Sequence, residues 1–439
     1  MKRNIKLLIS TLIFLTIFVG CGKFFQYILL DDTASYTRIT FHEMYNQDNI
    51  DTLFVGSSHC YRSFIPDILD DQLGVNTFNI GTSAQKLDGS FMVIKEAARY
   101  HNIKHVYLEI YYAMAFNTTK NSNQMTETYI ISDYLKPSID KLQYLISAST
   151  KEHYFNSFIP ARRNWNKFFD ADYVKNLIVK KQSDDYKNFK YTYVSSDNEF
   201  YSGKGYVANK EMLENWSFFS DSGWNRIDIN NISGDWLNIL DNIIDFCDEK
   251  GIKLTLVSAP MPSFRLVASE NYDDYIDFIQ EIIADKNIDY YDFNLCREAY
   301  FPDSPSLFCD ISHLNCYGAE LFSRLFADLI NGSISKKELF WNSYQEKTEH
   351  MKPTILGISY QEDYDGKTSI RTCKIVSTAN NDLEYMIAVT PLDEETQILQ
   401  EFSENRFFSV PINDKHGIFT ITYRKKNQSE TLSVDIPYE

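Results

Sequence analysis

Thr52-Leu53-Phe54-Val55-Gly56-Ser57-Ser58-His59 decides the fold. Its first four residues are a short apolar run that stops at a glycine, the pattern of a strand buried on both faces. A helical stretch follows at 66–73 and is stopped by Gly74. Working outward, the alternation repeats. Thr77-Phe-Asn-Ile80 reads as a second strand ending in Gly81, 90–100 as a helix, and Val106-Tyr-Leu-Glu-Ile110 as a third strand. It resumes with a helix at 236–250, with Gly251 just beyond its end in the usual C-cap place. Leu254-Thr-Leu-Val-Ser258, a helix at 272–284, and Ile288-Asp-Tyr-Tyr-Asp-Phe293 come next. A last helix at 317–330 carries Leu321, Phe322, Leu325, Phe326 and Leu329 on one stripe. Alternating strands and helices predict an α/β domain over 31–112 and 235–335, with a five-stranded parallel sheet covered on both faces. Such sheets hold their sites beyond the carboxyl ends of the strands.

Two regions interrupt or follow this pattern. Residues 113–234 form an insertion too long for a simple loop. It contains helical stretches such as 139–149 and a hairpin-like Tyr201-Ser-Gly-Lys-Gly-Tyr206, and its Tyr, Phe, Asn and Trp content suggests a largely helical cap over the site. Beyond about Lys336 the character changes again. Ile355-Leu-Gly-Ile-Ser-Tyr360, Thr372-Cys-Lys-Ile-Val376, Tyr385-Met-Ile-Ala-Val389 and Gly417-Ile-Phe-Thr-Ile-Thr-Tyr423 read as strands between Asn, Asp and Gly turns. They predict a small all-β, sandwich-like domain over 345–439.

The N-terminus supplies an address. Met1-Lys-Arg-Asn-Ile-Lys6 is basic, and an apolar run from Leu7 to Val19 follows, broken only by Ser10, Thr11 and Thr16. Lys23 is the one charge between Leu7 and Leu30, so residues 1–30 are long enough to span a bilayer. Positive charge ahead of the span predicts a single-pass anchor with its body outside the cytoplasm. Lipidation at Cys21, after Val19-Gly20, and a cleaved signal are the alternatives, and both also export the body.

The net charge of −17 repels a polyanion, so nucleic acid is not an expected partner. The 7 cysteines are scattered without metal-ligand spacing, which argues against a disulfide scaffold and implies no metal or cofactor. Cys309 and Cys316 read as free buried thiols or, alternatively, as a bridged pair. The 30 Tyr, 31 Phe and 5 Trp fit large aromatic cores and also a surface that stacks sugar rings.

The chemistry-bearing residues fall at predicted strand ends. A serine in Gly56-Ser57-Ser58-His59 projects from a tight turn between strand and helix, where backbone amides are placed to stabilise an oxyanion. Asp310-Ile-Ser-His313 follows the last strand, and its three-residue spacing lets one turn orient both side chains. Asp310 then fixes one ring nitrogen of His313 and leaves the other as a base. Ser58, Asp310 and His313 are thus the candidate catalytic residues. The Gly81 amide, in Asn79-Ile80-Gly81-Thr82, is the second candidate oxyanion donor, and Ser57 and His59 complete the oxyanion and substrate-binding set. Arg62 is a candidate contact to an anionic substrate, and Glu109 a paired structural carboxylate or a buried acid.

These blocks resemble the SGNH or GDSL hydrolase superfamily. Gly56-Ser57-Ser58 matches the first block, with Ser57 where an Asp is usual. Gly81 matches the second block, and Asp310-Ile-Ser-His313 the last. The resemblance spans 51–112 and 236–330 and implies a flavodoxin-like three-layer sandwich. The third block departs from the pattern: Glu109-Ile-Tyr-Tyr112 has no Asn, so a tyrosine or a backbone amide would have to serve there. Together with the anchor, these features are similar to the D-alanyl transfer protein of teichoic-acid decoration and to exopolysaccharide acetyltransferases. That likeness implies a cell-surface glycan or polymer substrate and a membrane-bound O-acyltransferase partner. The expected activity is an extracytoplasmic serine esterase or O-acyltransferase. The alternative is a non-catalytic glycan-binding or assembly protein.

Overall fold

A computed structural model of the chain describes residues 2–116, 125–190, 198–214, 218–220, 227–364, 369–378, 382–411 and 416–438, with the side chains of 2–3, 363–364 and 369 excepted. Met1 and parts of the insertion lie outside these residues. The α/β region holds a five-stranded parallel sheet, as the alternation predicts. The chain divides into two compact units: residues up to Ala208 with Ser233–Leu254, and Asn209–Ile232 with Thr255–Glu439.

In the first unit, helix α1 covers Lys2–Leu29 and α2 covers Tyr36–Asn46. Strand β1, Thr52–Val55, is followed by helices α3 (Ser58–Ser63) and α4 (Pro66–Leu73), then by β2 (Thr77–Asn79), α5 (Leu87–Tyr100) and β3 (His105–Glu109). The β1 side chains are all buried, which is why its sequence is apolar without alternation. Its register is parallel to both neighbours, with Phe54 opposite Asn79 and Val55 opposite Leu108. Parallel pairing demands crossovers, and α3–α4 and α5 supply them. The insertion contributes short helices α6 (Tyr112–Ala115) and α7 (Thr126–Ser132), then α8 (Ile139–Ala148) and α9 (Tyr154–Phe158). A 3₁₀ segment, Pro160–Lys167, leads into α10 (Ala171–Gln182) and α11 (Asp184–Lys187). Helix α12, Gly234–Lys250, closes this unit. The window Asn4–Leu29 of α1 is long and apolar enough to be a membrane anchor or signal sequence.

The hairpin-like stretch in the insertion is a hairpin, β4 (Glu199–Gly203) with β5 (Tyr206–Asn209). Its tip is pinned to the end of β2: the Asn79 amide donates to the Lys204 carbonyl at 2.9 Å. Tyr201 Oη and the Lys204 amide both donate to Glu43, at 2.7 and 2.8 Å. Gly205, at φ +85°, lies so close to β2 that a Cβ there would fall 1.6 Å from the Asn79 carbonyl oxygen. Gly205→Ala is therefore expected to cost about 3 kcal/mol or more, from the overlap and the left-handed backbone together. A thermal melt of the detergent-solubilised chain checks this. An unchanged melting temperature would mean that the hairpin does not brace β2.

In the second unit, β7 (Lys253–Ser258, beginning in the first unit) precedes α13 (Ser263–Ser269) and α14 (Tyr272–Ile283). Strand β8 (Asp289–Asp292) follows, then α15 (Cys316–Ile330), α16 (Lys336–Leu339) and α17 (Tyr344–His350). β8 pairs parallel with β7, Tyr291 opposite Val257, and the order of the whole sheet is β2-β1-β3-β7-β8.

The C-terminal strands are β9 (Ile355–Tyr364), β10 (Ser369–Ser377), β11 (Leu383–Pro391), β12 (Gln397–Ser403), β13 (Phe407–Pro411), β14 (Gly417–Lys425) and β15 (Leu432–Tyr438). They form two four-stranded sheets, one of which takes in β6, Phe218–Ser220, from the insertion. β6 runs parallel to β9, with Phe219 opposite Ser359. A shared core, including Ile358, Ile375, Tyr385, Phe419 and Ile436, lies between the two sheets. Part of the stretch read as cap thus serves as an edge strand here.

Candidate functional site

In the first unit the carboxyl ends of β1, β2 and β3 bring Ser57, Gly81 and Glu109 together. Ser57 caps α3, its Oγ accepting from the His59 amide at 3.2 Å. The Ser57 amide and hydroxyl both donate to Glu109 Oε2, each at 2.8 Å. His59 Nδ1 lies 3.3 Å from the same hydroxyl, and the His59 ring packs on Tyr111 with centroids 4.3 Å apart. Ser57, His59 and Glu109 are buried, whereas Ser58, the first residue of α3, is half-exposed. Of the serine pair, Ser57 is the anchor and Ser58 the less buried member. Gly56 makes room for this: a Cβ there would lie 2.6 Å from Glu109 Cβ.

Glu109 is the paired carboxylate, and its partner is a serine rather than a base. Burial pushes its carboxyl up to about 7 from an ordinary 4.5, against the two Ser57 hydrogen bonds. Unfolded, Glu109 ionises near 4.5; folded, near 7. Between those values the folded chain holds the extra proton, so this group makes stability fall as pH rises through the window. Glu109→Gln keeps a carbonyl to accept from Ser57 and is expected to remove that slope, on the order of 3 kcal/mol across the window. Melting temperatures of parent and variant, compared from about pH 4.5 to about pH 8, measure it. Parallel curves would exclude Glu109 as the titrating group. Asp88 and Asp292, both raised to about 6 chiefly by burial, remain in both proteins and cancel in the comparison.

Gly81 departs from its expected role. Its amide donates to Asn79 Oδ1 at 3.1 Å, because the Asn79 side chain folds back over its own turn. Asn79 Nδ2 is held in turn by the Cys60 and Phe64 carbonyls, at 2.9 and 3.1 Å. Gly81 is also packed against α3, where a Cβ would sit 3.0 Å from the Ser57 carbonyl oxygen. It joins the first strand turn to the second but does not hold out its N–H. Arg62, read as an anion contact, forms a largely buried salt bridge with Glu199.

In the second unit Asp310 and His313 meet as the spacing predicts. An antiparallel bridge between Phe308 and Leu314, with the Cys309 amide donating to the His313 carbonyl at 2.9 Å, pinches the chain into a turn. Asp310 Oδ1 accepts from the Ser312 and His313 amides at 2.8 and 2.9 Å. His313 Nδ1 lies 3.0 and 2.9 Å from the two carboxylate oxygens. Burial opposes the charged carboxylate, but the His313 ring and these amides outweigh it and hold Asp310 well below the usual range. An ionised carboxylate on Nδ1 fixes the neutral ring with its proton there, so Nε2 carries the lone pair. Asn315 caps α15 directly after the turn, accepting from the Tyr317 and Gly318 amides. Cys309 and Cys316 are not joined by a disulfide, Cys309 being buried and Cys316 half-buried.

Among the described residues no three His, Cys, Asp or Glu side chains converge to hold a metal ion. A cavity of about 320 Å³ in the first unit is lined by Asp88, Phe91, Tyr144 and Asp235, among others, and includes none of the candidate site residues. No protein-family model matches the chain, and no curated protein matches it significantly.

Proposed function

We propose that this chain is a membrane-anchored, extracytoplasmic serine esterase or O-acyltransferase. Its substrates would be ester-linked acyl groups of a cell-surface polysaccharide or teichoic-acid-like polymer. The observation that carries the reading is the Asp310–His313 pair. A carboxylate held ionised by two backbone amides, with both oxygens on Nδ1, is the arrangement that prepares an imidazole to act as a base through Nε2. Ser58 is the nucleophile. It is the half-exposed member of a serine pair whose other member is tied down. The sheet order, read along the chain as 2-1-3-4-5, is the flavodoxin-like order and supports the three-layer fold of the SGNH superfamily.

In this mechanism His313 Nε2 takes the Ser58 hydroxyl proton as Oγ attacks the ester carbonyl. The Ser58 amide, at the start of α3, receives the oxyanion. Gly81 joins it only after Asn79 Oδ1 lets go of the Gly81 amide. His313 then gives its proton to the leaving alcohol, and an acyl group remains on Ser58. Water or a sugar hydroxyl, deprotonated by the same nitrogen, attacks next, and Oγ regains its proton. The outcome is hydrolysis or transfer according to the acceptor. A membrane O-acyltransferase is the partner that would supply acyl groups at the outer surface.

One observation favours a second reading, a glycan-binding or assembly protein: the Gly81 amide is occupied by Asn79, and the turn after β3 offers Tyr111 and Tyr112 but no Asn. A screen of acyl donors and sugar acceptors with the detergent-solubilised chain separates the two. Acyl release or transfer supports the enzyme, and glycan binding without either supports the alternative.

A further inference from the structure

Helix α1 does not end in a loose linker. Ile28 and Leu29 are buried with Ala161, and Phe25, Phe168, Val174 and Ile178 pack around them. The Phe25 ring meets Trp165 and Phe168 edge-on, at 5.3 and 5.7 Å, and those two rings stack on each other. The last carbonyls of the helix are capped by side chains from the insertion. Leu29 accepts from Tyr173 Oη and Asn164 Nδ2, both at 2.9 Å. The Leu30 carbonyl accepts from Lys181, whose side chain is 3% exposed and whose ammonium also pairs with Asp32 at 2.9 Å. A cation at this end suits the helix dipole.

The surface around this joint carries large exposed apolar side chains. Phe169 is 87% exposed, Phe155 62% and Trp165 48%, and Ile159 and Val179 are exposed beside them. Exposed Arg162, Lys167, Lys175 and Lys180 are interspersed and outnumber the exposed acids Asp170 and Asp172, the first of which pairs with Lys167. Aromatic rings mixed with basic side chains are the composition of a surface that rests at a membrane boundary. The length of α1 sets the level. Its exposed apolar side chains run from Ile5 to Phe24, roughly 30 Å at helical rise, which is one hydrocarbon core. Trp165, against Phe25, therefore stands where that core gives way to headgroups.

We propose that the outward face of 155–180 is a collar that sits in the headgroup–acyl boundary of the bilayer crossed by α1, with Trp165 and Phe169 touching lipid. The inference rests on α1 as a span and is independent of the chemistry at Ser58. The test uses the full chain in vesicles containing phosphatidylcholine brominated either near the headgroup or near the chain ends. The emission difference between parent and Trp165→Phe isolates Trp165. Lipid brominated near the headgroup is expected to remove most of that difference, and lipid brominated near the chain ends little of it. Phe169→Trp, at a position 87% exposed whose ring touches the joint edge-on at Phe168, provides a second reporter with the same expected pattern. If the chain floats with the vesicles but neither reporter responds to either lipid, the collar is wrong and a protein is left as the cover. A chain recovered in the soluble fraction overturns the span and the collar together. Neither result bears on labelling of Ser58.

Discussion

Ser58→Ala is expected to abolish covalent labelling of the full chain by a fluorophosphonate probe and to reduce acyl release to background. The probe phosphonylates a serine only where a base has activated its hydroxyl, so the adduct reports chemistry and not mere binding. Alanine removes the oxygen proposed to form the acyl-enzyme and leaves the Ser57 bonds to Glu109 in place. In serine enzymes removal of a triad member leaves only the rate that binding and the oxyanion site provide, a loss of roughly 10⁴-fold or more. Ser57→Ala is the contrasting control. It should cost stability, by about 1–3 kcal/mol for the lost buried hydrogen bonds, while the Ser58 hydroxyl remains. Labelling that survives Ser58→Ala would remove Ser58 from the mechanism. If the parent chain is not labelled at all, the glycan-binding reading gains.

Asp310→Asn is the second change with a large expected effect. The Asn amide still accepts from the Ser312 and His313 amides, so the turn should keep its shape. An amide nitrogen facing Nδ1 would instead donate to it and force the ring proton to Nε2, the wrong tautomer for a base. Loss of the carboxylate also withdraws the charge that stabilises the imidazolium formed on proton transfer. We expect a fall in turnover on the order of 10⁴-fold, about 5 kcal/mol of transition-state stabilisation, with KM little changed. His313→Ala should match it, and Asp310→Asn/His313→Ala should be no worse than either, since the two groups act as one unit. Independent, multiplying losses would show that they do not.

Much of the α/β region could be read from the chain because buried parallel strands leave a plain trace. Thr52–Val55 has no polar side to show, and it ends at a glycine. Asp310 and His313 were equally readable, since a turn within one short segment brings them together. What escaped depends on distant contacts. Ser57 meets Glu109 across 52 positions of sequence, and nothing in either neighbourhood announces the pairing. The Asn79 side chain that takes up the Gly81 amide is held by a carbonyl of α3 and that of its C-cap Phe64, which no local pattern encodes. β6 is too short to be a strand without β9 beside it. β12 is mostly exposed and so shows no core face. Leu432–Tyr438 does alternate, with Ile436 and Tyr438 inward, and its Pro437 suits the edge position it holds, so that strand was there to be found.

The capped end of α1 has one more implication. A flexible stalk of n residues lets its cargo wander about 5–6 Å × √n, so the cargo searches a volume. Here α1 ends at Leu29, α2 begins at Tyr36, and Asp32 between them is tied to Lys181 and Arg38. There is no leash to pay out. For a body carried on α1 in a bilayer, Ser58, in the same compact unit, would ride at a set altitude above the lipid. Under the function proposed above, a polymer substrate would have to be threaded past that altitude. The chain would then modify what passes through one thin layer above the lipid, and nothing higher.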